Sequence, residues 1–266
     1  TNAPEWNMID FAIQQVGAIC VPIYPTVSHA DYEHIFKHSE ASIVFVTNSN
    51  LYNKVSDIIA STPSIKETFL IKPVEGLKSL QELIDLGNAN KDVEALEAAK
   101  AQVQNGDIAT IIYTSGTTGT SKRGMLSQKN IFSVVTAAAA TVDFKPDDTI
   151  VSVLPIHHTY ELCCMLASMD YGVHICINDS ITRVLKNFKL FQPTALILVP
   201  LFVNTIYKRI WDSAKKKGKD KLLRAVHPYA LSPHLCHPRP EQQDTYLAPE
   251  LLSPPFPKPP LLFAKR

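Results

Sequence analysis

Residues 111–126 read IIYTSGTTGTSKRGML: six Ser or Thr, three Gly, one Lys and one Arg behind an apolar run. A segment this poor in bulk cannot build a core, so its chemistry is that of its donors. Gly116 and Gly119 let the backbone turn through positive φ and approach a ligand closely. Amide N–H groups on such a turn converge into an anion-binding concavity. The hydroxyls of Thr114, Ser115, Thr117, Thr118 and Thr120 add rotatable donors, and Lys122 adds fixed positive charge. Phosphate is the natural guest, because it offers several acceptors and a high charge, and charge-assisted hydrogen bonds are roughly twice as strong as neutral ones. The spacing is not that of the P-loop NTPases. GxxxxGK[ST] needs Gly where Ser121 stands and a hydroxyl where Arg123 stands. A polar hairpin turn with no ligand is the plainer alternative.

The elements that must position this segment follow from the pattern around it. IATIIY (108–113) reads as a strand by its β-branched residues and GML (124–126) as a second, short one, so the polar stretch joins two strands. Upstream, PEWNMIDFAIQQV is apolar at helical spacing and stops at Gly17, and AICVPIYP (18–25) reads as a short Pro-bounded strand. A helix over HADYEHIFKHSEA, a buried strand over 42–47, a helix over NLYNKVSDIIAST and a strand over ETFLI come next. SLQELIDLGNANKDVEALEAAKAQV is charged and helical, a solvated face leading up to the loop. Downstream, the expected order is helix (NIFSVVTAAAATVDF), strand (DTIVSVLP), helix (YELCCMLASMDYG, ended by Gly172) and strand (VHICIN). A helix (ITRVLKNFKLFQ), a buried strand (TALILVP) and a helix with a cationic end complete the series. Alternation at this spacing predicts an α/β fold with a mixed, largely parallel sheet and flanking helices.

At 266 residues the chain is long enough for a sizeable core, and 45% apolar with 19% charged residues fits a soluble globular protein. A net charge of +1 gives no electrostatic reason to expect nucleic acid as a partner. No apolar stretch reaches the ~20 residues of a membrane span, which leaves only peripheral contact with a membrane. Five cysteines, odd in number and without a CxxC pair or a Cys/His spacing, predict no metal site; they read as reduced thiols of a cytoplasmic protein. There is no basic-then-apolar signal segment, and the opening TNAPEWN, without Met, reads as cut from something longer.

From about Ala225 the character changes. Residues 225–266 hold ten of the nineteen prolines and no Gly, with neither a helical nor a strand period. Two readings compete: a Pro-rich disordered tail offering polyproline ligands, or out-of-frame translation of the true sequence. The abruptness of the break, where a helix should resolve into a strand, favours the second. On either reading this segment is expected not to pack.

YTSGTTGTSK resembles the phosphate-binding signature YTSGTTGxPKG of the adenylate-forming, or AMP-binding, enzymes. GAICVPIYP (17–25) is similar to that family's GAxxVPxxP segment. LPIHHTYE (154–161) resembles the LPLxHxYE segment of its acyl-CoA synthetase branch, especially the long-chain fatty-acid enzymes. PTALILVPLFVNTIYKRI (193–210) is similar to the strand-then-helix stretch that follows. The resemblance covers roughly residues 1–224 and implies part of the family's large N-terminal domain. It also implies the reaction: ATP and a fatty acid give an acyl-adenylate and pyrophosphate, and coenzyme A then displaces AMP. By the same resemblance, Thr114, Ser115, Gly116, Thr117, Thr118 and Gly119 hold the β- and γ-phosphates, Lys122 neutralises charge as pyrophosphate departs, and Mg²⁺ accompanies ATP. His158 matches the His that contacts the carboxylate region, and His157 a variable position where a packed or surface imidazole is expected. Tyr160 and the helix after it would line the acyl channel or simply pack, and Glu161 matches the motif without a chemical role.

The sequence departs from the family pattern in two ways. Ser121 replaces the usual Pro, and Arg123-Gly124 stands where Gly and an apolar residue usually follow the Lys. Beyond that, the YGxTE segment for adenine and Mg²⁺, the later Asp for ribose and the small C-terminal domain that delivers a catalytic Lys have no counterpart; YGVH (171–174) is not the first of them. The expectation is therefore a fragment of a long-chain fatty acid–CoA ligase, inactive alone. A reading from another class is a non-catalytic phosphate- or nucleotide-binding module that recruits partners through SPPFPKPP (253–260).

Overall fold

The computed structural model describes residues 2–114, 122–142 and 144–223, and the chain divides after Leu198 into two units. The first unit opens with α1 (Pro4–Gln15), which has Pro in its first turn, where a missing N–H costs nothing, and is followed by Gly17 at φ 72°. Helix α2 (His29–Ser39) starts at Ser28, whose hydroxyl accepts from the Asp31 N–H while Asp31 reaches back to the Ser28 N–H. Strands β1 (Ile43–Val46) and β2 (Glu67–Leu70) pair in parallel, with the crossover made by α3 (Ser49–Ser61). Their core is Tyr32 and Phe36 from α2, Val44 and Val46 from β1, Val55 and Ile58 from α3, and Leu70 from β2. The i, i+4 spacing on α2 and the period-2 spacing on β1 put these side chains on one face each.

Helices α4 (Leu80–Ala89) and α5 (Val93–Gln102) lead to the hairpin of β3 (Ile108–Thr114) and β4 (Lys122–Ser127), which pair antiparallel. Helix α6 (Gln128–Ala139), β5 (Thr149–Ser152), α7 (Thr159–Asp170) and β6 (His174–Ile177) follow. A short 3₁₀ turn (Ile181–Arg183), α8 (Val184–Phe191) and β7 (Ala195–Leu196) complete the unit. The last three strands form a parallel sheet in the order β6-β5-β7, with Ile150, Val151 and Ser152 of the central strand wholly buried. In the second unit α9 (Pro200–Lys216) carries Lys215 and Lys216 in its last turn, where positive charge suits the helix dipole.

The α/β expectation holds, with the strands of the described residues divided among three sheets that are parallel except for the β3–β4 hairpin. Four local expectations change. Residues 18–25 form no ladder beyond one bridge between Cys20 and Thr110, because Pro22 and Pro25 have no N–H to donate. The charged stretch before the loop breaks at Asn90, and Asp92 caps α5 by accepting from the Ala95 N–H at 2.8 Å. TALILVP yields only the two residues of β7, with Pro200 opening α9 four residues on. Strand β4 is longer than GML and takes in Lys122 and Arg123.

Candidate functional site

The phosphate segment is held at both ends. Thr114 and Lys122 are register partners at the open end of the hairpin, and Tyr113 faces Arg123 in the next pair. On its other edge β3 is tied to the segment after α1: the Cys20 N–H donates to the Ala109 carbonyl at 3.0 Å and the Ile111 N–H to the Cys20 carbonyl at 2.9 Å. Tyr113, the residue before Thr114, is anchored from α2 by a 2.8 Å hydrogen bond between its hydroxyl and His38 Nδ1. His38 stacks on His34 at 5.2 Å, and burial pushes the Tyr113 phenol above its ordinary value. Lys122 and Arg123 are exposed on β4, so both cations stand in solvent at the exit of the loop. Ser115, Gly116, Thr117, Thr118 and Gly119 lie outside the described residues, as does 225–266.

The second group lies where β5 turns into α7. Val153, Leu154 and Ile156 continue the buried run of β5, and the chain then emerges at His157 and His158. His158 is the N-cap of α7: its Nδ1 accepts from the Tyr160 N–H at 3.3 Å, and its ring is exposed. His157 packs edge-on to Tyr24 at 4.2 Å, and burial above all lowers its imidazole to about 4. It is therefore a packed, neutral imidazole at pH 7. Tyr160 is exposed, whereas Leu162 and Met165 face the interior of α7. Burial raises the Cys164 thiol to about 11, which makes it inert as a nucleophile at neutral pH.

Glu161 is the residue for which the sequence offered no role. It is wholly buried, accepts a short hydrogen bond from the Ser152 hydroxyl, and burial raises its carboxyl to about 7 against the pull of that bond. Asn2 joins the same place by donating from Nδ2 to the Leu154 carbonyl at 2.6 Å and accepting at Oδ1 from the Ile156 N–H at 3.1 Å. Neither Ser152 nor Asn2 is marked by the sequence. An Asn that bonds to backbone 152 residues away leaves no periodic trace.

The structure thus brings Thr114 and Lys122 together and places His158 separately on α7; among the described residues no hydrogen bond or ion pair joins Lys122 to His158. A cleft of about 470 Å³ beside the start of α1 is lined by Asn2, Pro4, Asn7, Met169, Ile175 and Ile177, and neither Lys122 nor His158 borders it. Asp179 is the one charged residue on its walls, and none of the residues singled out from the sequence lies there, so the cleft is not the candidate site. Among the described residues no helix is long and apolar enough to cross a membrane.

Relatives and solved structures agree on one lineage. The long-chain-fatty-acid–CoA ligase FadD15 of Mycobacterium bovis is 30% identical over 220 residues, covering 82% of this chain and 36% of that protein. The peroxisomal long chain acyl-CoA synthetase 7 of Arabidopsis thaliana is 28% identical over 230 residues, 82% of this chain and 32% of its own length. The crystal structure of a long-chain-fatty-acid-CoA ligase (FadD1) from Archaeoglobus fulgidus superposes with a TM-score of 0.64 at 26% identity, covering 77% of this chain and 39% of that one. The chain thus spans about a third of the length of the curated relatives it matches. Residues 1–236 match the family described as AMP-binding enzyme, and a match over that much of the sequence, joined to the shared fold, makes this chain a member of the AMP-binding enzyme family.

Proposed function

We propose that the chain supplies the phosphate and acyl sides of the adenylation site in an ATP-dependent long-chain fatty acid–CoA ligase. The observation that carries this reading is the hairpin. Thr114 and Lys122 are register partners, so the two ends of the Ser/Thr/Gly segment stand side by side with a cation at one of them. A carboxylate is a poor electrophile. Its attack on the α-phosphorus of ATP forms an acyl–phosphate bond and expels pyrophosphate; the coenzyme A thiolate then attacks the acyl carbon and AMP leaves with the electron pair. In this reading Thr114 to Gly119 bind the β- and γ-phosphates through N–H and hydroxyl donors, and Lys122 balances the charge that gathers on pyrophosphate. His158, exposed at the N-cap of α7, meets the fatty carboxylate.

Mg²⁺ belongs to this reading as the companion of ATP. Among the described residues no three His, Cys, Asp or Glu side chains gather to hold it, so no step is assigned to it through them. Groups for adenine, ribose and a delivered Lys have no counterpart in the 266 residues, so the complete cycle is assigned to a protein that also carries those groups. A thiol-reducing compartment, the cytoplasm in the first instance, suits the free Cys20, Cys163, Cys164 and Cys176. The test is Lys122→Ala in a ligase carrying this segment. Adenylation is expected to slow about a hundredfold, the ~3 kcal/mol typical of one lost electrostatic group, while thioester formation from supplied acyl-adenylate keeps its rate. Equal slowing of both half-reactions would make Lys122 structural and refute the reading.

A further inference from the structure

Glu161 takes no part in the chemistry proposed above, yet its side chain is wholly buried and its Oε2 has no hydrogen-bond partner. A Glu in the third position of a helix ordinarily folds back to the N–H of the capping residue. In α7 that N–H, on His158, donates instead to the Pro155 carbonyl at 2.9 Å. The Glu161 carboxyl turns inward, where its Oε1 accepts from Ser152 Oγ at the end of β5. Asn2 Nδ2 lies 3.4 Å from the same hydroxyl, and Asn2 also grips the Leu154 carbonyl and the Ile156 N–H. The turn that carries His157 and His158 therefore runs between two fastenings, Asn2 on its β5 side and Glu161 on its α7 side.

We infer that Glu161 is the positioning residue of the His157–His158 turn, fixing the first turn of α7 to the end of β5 so that His158 faces outward at the helix N-cap. An apolar side chain would fill the same space without the cost of burying a polar group. What the carboxyl adds is direction: one bond to Ser152 sets the rotation of α7 about its axis, and with it the bearing of the imidazole three residues back. The function this gives His158 rests on the acyl-site reading above, whereas the fixing of the turn stands on the contacts alone.

The two claims are separable by NMR titration of the imidazoles in the 266-residue chain, comparing wild type with Glu161→Gln, Glu161→Ala and Ser152→Ala. His157 reports the turn, because it lies in it, packed against Tyr24 at 4.2 Å, and its burial lowers its midpoint to about 4. Gln keeps a bond to Ser152 and is expected to leave that midpoint in place. Glu161→Ala frees the turn, and the midpoint is expected to climb by at least one pH unit. Ser152→Ala removes the partner of Glu161, is expected to move the midpoint the same way, and decides the matter if Glu161→Ala does not fold. An unmoved His157 in the folded Ala variants, or a shift in the Gln variant as large as in Glu161→Ala, overturns the inference. Palmitate added to the same samples tests the other claim: an unresponsive His158 resonance refutes the acyl-site reading, while the role of Glu161 is still decided by the His157 midpoint.

Discussion

Replacing Glu161 by Gln should leave stability unchanged at pH 4.5 and raise it at pH 8. Burial lifts the carboxyl from 4.5 to about 7, the Ser152 bond opposing, so between those values the native chain holds a proton that the unfolded chain has released. Stability linked to this group is complete below 4.5 and is lost as the pH rises toward about 7. A displacement of about 2.5 pH units, at 1.36 kcal/mol each, amounts to about 3 kcal/mol. His157 works in the opposite sense. Burial lowers it from 6.5 to about 4, so its contribution is present above 6.5 and lost as the pH falls toward 4, by a similar amount. Across the shared window the two slopes nearly cancel, and the wild-type profile hides both. Urea unfolding of wild type and Glu161→Gln from pH 4 to pH 8.5 separates them. The Gln-minus-wild-type difference should grow from near zero to about 3 kcal/mol, while the Gln variant alone shows the rising His157 slope. A difference independent of pH would mean that Glu161 is already ionised in the fold, and the burial argument would fail.

Tyr113→Phe removes the hydroxyl bonded to His38 and keeps the ring; it should cost about 1 kcal/mol in urea unfolding and speed amide exchange in β3, and unchanged exchange there would show that the bond does not hold the strand. Ile58→Ala opens a hole in the core between α3 and β1, with an expected loss of about 3 kcal/mol, whereas Leu86→Ala, 60% exposed on α4, should cost under about 0.5 kcal/mol. Comparable losses at the two positions would contradict the core assignment.

The parts of this fold that the sequence disclosed are those with a local cause. The β-branched run at 108–113 marks a strand by composition, and Gly17 and Gly172 mark helix ends by their backbone freedom at φ 72° and 69°. Segment 18–25 misleads because its apolar content points to a strand while its prolines deny it the ladder. The break between α4 and α5 is marked by Gly87, Asn88 and Asn90 ahead of the Asp92 cap, signals outweighed in the sequence pattern by the helix formers on either side. On the site, the two strands that flank the polar segment were legible from their residue pattern. The burial of Glu161 was not, because an acid in the first turn of a helix is ordinarily a solvated neighbour of the helix dipole. Its true partner, Ser152, is chosen by the packing of β5 against α7.

The reach of Asn2 has a consequence for how the chain is made. Its carboxamide oxygen meets the Ile156 N–H across 154 residues of sequence, so at about 5–20 residues per second the ribosome delivers that partner roughly 8–30 s after Asn2. The core of β1, β2, α2 and α3 needs only residues 23–77 and can close while the rest is still being added. The turn that presents His158 waits for both ends of the unit. During that interval Asn2 is without its partner, and a slowdown of translation between residues 77 and 156 would prolong that state without delaying the first core.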